Sequence, residues 1–276
     1  MTKLAWTEVA DRVLVLRYPV LDVNSTLVLG DGAALLVDTL ASPRQATELR
    51  DAVTSVTAAP LMLVNTHHHF DHTFGNATLA SGAGIWGHVR CGEMLREHGD
   101  RLRHDAARKY PELADEVAEV TVVPPDREVH DHAELDVGGR RVLLHYTGRA
   151  HTDNDLAVLI PDAGTTITGD LIEVGAPPAF GDSWPLEWAP TLADLLTVSA
   201  AEGAGTVFIP GHGDPVGPAY AGAQHAEIAE LEWLCREGHA DQAPIDEVAA
   251  RAPFGPGASR TAVRRAYADL DGKLQS

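Results

Sequence analysis

Cysteine is nearly missing from this chain of 276 residues. Cys91 and Cys235 are the two present, too few for a disulfide framework or a thiolate-rich zinc site. Long apolar runs are missing as well. None approaches the roughly 18 residues that a membrane-spanning helix needs. The opening stretch MTKLAWTEVADRVLVLRYP has no signal-peptide core, because Glu8, Asp11 and Arg12 interrupt it. Basic residues are scarce: 21 Lys and Arg stand against 40 Asp and Glu, for a formal net charge of −19. A surface that acidic repels phosphate backbones and anionic headgroups, so neither nucleic acid nor a membrane is an expected partner. At 45% hydrophobic and 22% charged, the composition rules out a disordered, collagen-like or coiled-coil chain. No repeat, low-complexity segment or linker divides it. The expectation is a single cytoplasmic domain over residues 1–276, acting on a small molecule, with a helical extension over about 220–276.

Short apolar runs at 12–19, 26–30 and 33–38 read as strands, with Gly30-Asp31-Gly32 as the hairpin turn between the last two. Ser42-Pro43-Arg44-Gln45 has the form of a capping box, and Ala46, Leu49, Val53 and Val56 follow at helical spacing. Further strands are expected at 61–66, 85–88, 141–146, 155–160, 165–168 and 206–209. Residues 91–118 carry charges of alternating sign and read as a solvated helix. Residues 173–190 form a long Pro- and Trp-rich loop, after which Thr191 caps a helix with Leu192, Leu195 and Leu196. The tail ends with Val263, Ala266, Tyr267, Leu270 and Leu274 on one helical face. Strands and helices without regular βαβ alternation suggest two sheets covered by helices.

Histidine is abundant, with 14 in the chain, and the clustering is informative. Residues 65–72 read NTHHHFDH, which places His67, His69, Asp71 and His72 in the pattern HxHxDH. In an extended segment side chains alternate, so His67 and His69 reach one metal together while His68 points away. Asp71 and His72 follow as the chain turns and can face a second metal. Imidazole and carboxylate suit zinc, and also iron or manganese. His151 (GRAHTDND), Asp170 (ITGD) and His212 (PGHGDP) each lie just past the end of an expected strand, near a glycine.

The series HxHxDH, Gly-x-x-His-Thr, Gly-Asp and Pro-Gly-His-Gly resembles that of the metallo-β-lactamase-fold hydrolases, over roughly residues 12–213. The resemblance implies an α+β fold, a four-layer αββα sandwich with the site at one edge of the paired sheets. It implies two zinc ions, the first held by His67, His69 and His151 and the second by Asp71, His72 and His212, with Asp170 bridging. Two ions about 3.5–4 Å apart lower the pKa of a shared water towards ~7. A metal-bridging hydroxide would then attack an ester, thioester, lactone or amide, with Asp71 orienting it and moving its proton. The first motif is similar to that of glyoxalase II, and the HTDN stretch to that of zinc β-lactamases. Acyl-homoserine lactonases share all seven ligands, and Tyr146 is the candidate for their substrate-facing tyrosine. Fold and site do not choose among these bonds. The alternative is a mononuclear-iron oxygenase of persulfide-dioxygenase type on the same fold. A non-catalytic scaffold is a further alternative, which the full ligand set disfavours.

Trp184, Trp188 and Phe180 from the long loop, with Phe70 from the first motif, are candidates for the wall of an apolar substrate pocket; packing of the loop onto the next helix is the competing reading. His68 and His88 are candidates for hydrogen bonds to metal ligands, or for structural roles.

Overall fold

The computed structural model describes residues 4–80, 82 and 84–274. Of the domain expected over 1–276, residues 1–3, 81, 83 and 275–276 lie outside the described residues. The chain begins with strands β1 (Thr7–Ala10), β2 (Val13–Tyr18), β3 (Val23–Leu29) and β4 (Ala34–Val37), then helix α1 (Pro43–Thr54) and β5 (Leu61–Val64). Two short helices, α2 (Phe70–Thr73) and α3 (Asn76–Leu79), precede β6 (Ile85–His88), α4 (Val89–Lys109), α5 (Ala114–Ala118) and β7 (Arg127–Val129). Strands β8 (His132–Val137), β9 (Arg140–Tyr146), β10 (Leu156–Ile160) and β11 (Thr165–Gly169) follow. After them come α6 (Trp188–Ala201), β12 (Val207–Pro210), α7 (Pro218–Ala240), α8 (Ile245–Ala249) and α9 (Gly255–Leu270).

Among the described residues β1 to β7 pair in chain order into one sheet, antiparallel from β1 to β4 and parallel from β4 to β7. The second sheet runs β12-β11-β10-β9-β8, antiparallel except between β11 and β12. Val15, Val37 and Val64 of the first sheet meet Leu144, Val158 and Ile167 of the second in a dry layer. Helix α1 covers the outer face of the first sheet through Leu49, against Leu36 and Leu63. Helices α6, α7 and α9 cover the second through Leu192, Leu231 and Val263. The expected αββα sandwich with C-terminal helices is therefore what the chain forms. No described helix is long and apolar enough to cross a membrane.

The Ser42 hydroxyl caps α1 by accepting the Gln45 amide at 3.2 Å, with Pro43 in the first turn. Helix α6 departs from the expected start. It begins at Trp188, and Thr191 lies inside it, with its amide on Glu187 O and its hydroxyl on Arg149 O. Pro190 is tolerated there because the first-turn amides have no intrahelical partner. The helix expected over 91–118 is two: α4 ends before Pro111 and α5 resumes at Ala114. Strands β1, β7 and β8 are additions to the expected set. Leu274 lies beyond the end of α9, off the expected face.

Candidate metal centre

Parallel pairing of β4 and β5 sets Val37 beside Val64, so the chain leaves both strands at one edge of the sandwich. Beyond β5 the chain bends through residues 66–68 to His69, whose backbone is extended just before α2, and α2 then turns Asp71 and His72 back towards the sheets. Strands β11 and β12 deliver Asp170 and His212 to the same edge. His151 follows β9 on a loop pinned by Asp155, which accepts both the amide and the hydroxyl of Thr152 at 2.7 Å. All seven sequence-predicted metal residues thus converge.

They fall into two groups. His67, His69, His151 and Asp170 form one, and Asp71, His72 and His212 the other, each with ligand atoms within 4.8 Å of one another. In the first group His151 Nε2 lies 2.9 Å from His69 Nδ1 and 3.4 Å from Asp170 Oδ2. In the second, His212 Nε2 is 3.4 Å from His72 Nε2 and 3.5 Å from Asp71 Oδ2. Asp170 touches both: its Oδ2 is 3.5 Å from His212 Nε2 and its Oδ1 is 3.5 Å from His72 Nε2. Buried His67 Nε2 and Asp170 Oδ1 have no hydrogen-bond partner. Buried polar atoms left this way are costly unless something else satisfies them, and a cation is what a cage of imidazole lone pairs and carboxylates accepts. The residues present therefore fit a metal.

The outward ring nitrogens of His72, His212 and His69 are held by residues the sequence reading did not single out. Asp38 Oδ2 accepts His72 Nδ1–H at 2.8 Å, and the Thr66 hydroxyl and amide donate to the same carboxylate at 2.7 and 2.8 Å. Leu21 O accepts His212 Nδ1–H at 2.8 Å. Asp182 Oδ2 accepts His69 Nε2–H at 2.9 Å. Each bond selects the tautomer whose other nitrogen faces the group. Asp38 and Leu21 both have positive φ, of 64° and 60°, a conformation rare for non-glycine residues and found here where the chain aims an acceptor. Gly211 is needed for space: a Cβ there would come within 1.9 Å of Asp170 Oδ1.

Charge follows from this arrangement. Burial drives the His67 imidazole below its ordinary range and His151 down to about 3. Burial also works against protonation of His69, His72 and His212, but carboxylates overcome it. Asp182 lifts His69 to about 9, Asp170 with Asp38 lifts His72 to about 9, and Asp170 lifts His212 to about 11. Asp170 is held well below the usual carboxylate range, its burial outweighed by the surrounding imidazoles. Burial and the neighbouring Asp170 push Glu173 upward.

A cavity of about 520 Å³ opens onto both groups. Phe70 lines it, together with Leu21, Leu102, Tyr110, Val174 and Pro177. The expected roles of Trp184, Trp188 and Phe180 need correction, because none of the three lines the cavity. Trp188 is fully buried behind His151, ring centroids 5.7 Å apart, and Phe180 packs on it at 5.4 Å. Trp184 is buried beneath the Arg149 guanidinium, 3.8 Å from its ring centroid. These rings brace the loop onto α6 instead of facing substrate. Tyr146 is likewise outside the cavity: its hydroxyl donates to Asp153 O and its ring stacks on His88 at 4.0 Å. His88 is structural, bonding His130 O. His68 turns towards Asn154, which accepts its amide at 3.0 Å, with its ring Nε2 3.4 Å from Asp182.

Fold and site together define a metal-dependent hydrolase. Residues 18–224 match the Metallo-beta-lactamase superfamily. The chain belongs to that superfamily and is a metallohydrolase of its fold, with an intact His/Asp metal site. No curated protein sequence matches it. Among solved structures, the stereoselective inverting sec-alkylsulfatase Pisa1 from Pseudomonas sp. superposes with a TM-score of 0.80 at 18% identity, over 98% of this chain and 51% of its own. The chain thus spans about half the length of that sulfatase. A metallo-beta-lactamase from Pontibacter korlensis gives 0.66 at 17% identity, over 82% of this chain and 99% of that one. FIM-1 from Pseudomonas aeruginosa, in a mono-zinc form, gives 0.64 at 18%, over 83% and 96%.

Proposed function

We propose that the protein holds two zinc ions and hydrolyses a small ester, thioester, lactone or amide with an apolar portion. The observation that carries this reading is Asp170, whose two oxygens lie against imidazoles of both donor groups. His67, His69 and His151 would hold one ion, Asp71, His72 and His212 the other, and Asp170 would bridge. Bound ions would supply Lewis acidity, lowering the pKa of water and polarising the scissile group. Iron or manganese suits the same donors.

The chain's own residues do the rest. Asp71 lines the cavity beside His212, where its carboxylate orients the attacking water and accepts its proton. Phe70, Leu102 and Tyr110 offer an apolar wall for the part of the substrate away from the reacting bond. Asp22, Asp105 and Asp182 also line the cavity, and among its described lining residues Lys109 is the lone Lys or Arg. That balance disfavours polyanionic substrates. Pisa1 is a sec-alkylsulfatase and its likeness covers 98% of this chain, so secondary alkyl sulfates belong in the test panel.

Under strict anaerobiosis, zinc-loaded protein should turn over at least one member of a panel of esters, thioesters, lactones, amides and alkyl sulfates. Asp71→Asn should lower that rate by roughly 10²-fold or more, on the scale of a lost proton-transfer partner. Activity that needs iron and oxygen, and survives Asp71→Asn, would place the protein with the persulfide oxygenases of this fold.

A further inference from the structure

His69 is the one partly exposed member of the first donor group, and both its ring nitrogens are engaged. Nδ1 faces His151 Nε2 at 2.9 Å, and Nε2 faces Asp182 Oδ2 at 2.9 Å. A neutral imidazole has one lone pair. With Nε2–H donating to Asp182, that lone pair is on Nδ1 and points into the donor group. His68, His69 and Asp182 also lie close enough to one another to resemble a further cation site. An ion there would take the His69 Nε2 lone pair and leave Nδ1 protonated, which would remove His69 from the first group. The two uses compete, and the convergence of His67, His151 and Asp170 on Nδ1 favours Asp182 as an acceptor.

Asp182 sits in a loop without regular structure, and its side chain is half exposed. Such a carboxylate would lose entropy in holding one imidazole unless its backbone were fixed. It is fixed from both sides by one residue. Arg265 Nε donates to Ser183 O at 2.6 Å and Arg265 Nη1 to Gly181 O at 3.1 Å. The planar guanidinium fork therefore straddles Asp182. Downstream, the Trp184 amide donates to Ala150 O at 2.7 Å, next to His151. Arg265 belongs to α9, which begins at Gly255, beyond the residues 18–224 that match the superfamily.

We propose that Asp182 is a positioning residue for the first metal group, and that α9 sets its placement through Arg265, so that the C-terminal extension tunes metal affinity. This rests on the metal reading above. Stepwise Zn²⁺ titration of the full chain against a chelating indicator tests it in wild type, Asp182→Asn, Arg265→Met and the double variant. In Asp182→Asn one of the two binding steps should weaken by about 10- to 100-fold, the usual scale for a lost partner of a ligating histidine. Arg265→Met should weaken the same step by a smaller factor. The double variant should match Asp182→Asn within about twofold, because Arg265 acts through Asp182. Arg265→Gln keeps one donor and should fall between wild type and Arg265→Met; it also serves if Arg265→Met does not fold. Unchanged affinity in the Arg265 variants, or losses that multiply in the double variant, would overturn the proposal while leaving the hydrolase reading intact. A wild-type protein that takes up no zinc would overturn both.

Discussion

Asp38 shows how much one side chain can organise. Its carboxylate joins the His72 ring to the backbone and hydroxyl of Thr66, the residue before His67. One buried group thus holds ligands of both donor groups in place. Replacing it by Asn keeps the shape but removes the charge that favours metal at the far nitrogen of His72. Zinc affinity of the second group should fall by about 10- to 100-fold in Asp38→Asn, read by competition with a chelator. Unchanged affinity would mean that His72 needs no carboxylate partner. The seven converging donors were legible in the sequence because alternation along an extended segment, and strand ends beside glycine, are local signals. Asp38 gave a weaker one, a carboxylate closing an apolar run just before a helix cap. Asp182 gave none, since its partner His69 is 113 residues away, and Arg265, which holds the flanking carbonyls of Gly181 and Ser183, is more than 80 residues away, so nothing local marks the arrangement.

At the scale of elements, the loop after β11 differs most from its sequence reading. Its aromatics were as consistent with a pocket wall as with packing, because an apolar ring in a loop carries no periodicity. Packing won for Trp184, Trp188 and Phe180, which are at most 5% exposed. Trp184→Ala should therefore cost about 3–5 kcal/mol of stability, the range for a truncated buried aromatic. Melting temperature should drop on the order of ten degrees, with KM unchanged. A raised KM with an unaltered melting temperature would return Trp184 to the substrate wall. The missed strands have a related cause. In β8 exposed residues alternate with partly or fully buried ones, and Asp136 and Glu134 face outward, so its apolar content is low. β7 is three residues long and gains its identity from pairing with β6, a non-local contact. Hairpin and capping signals, being local, located β3, β4 and α1 well.

The whole molecule combines a strongly acidic surface with a cage of imidazoles at one edge. With a formal net charge of −19, the chain concentrates cation-seeking groups where its two sheets end, and wraps the second sheet with helices that extend past the superfamily region. The sandwich itself was legible through the motifs, whose order fixes which strand ends must meet. The helical tail was legible as helix, but its link to the loop carrying Asp182 depends on tertiary placement. The central claim is that two donor groups sharing Asp170 form one dinuclear site. Elemental analysis of zinc-supplemented protein after removal of loosely bound metal measures that directly. The account predicts about two transition-metal ions per chain, and a value of one or fewer would contradict it.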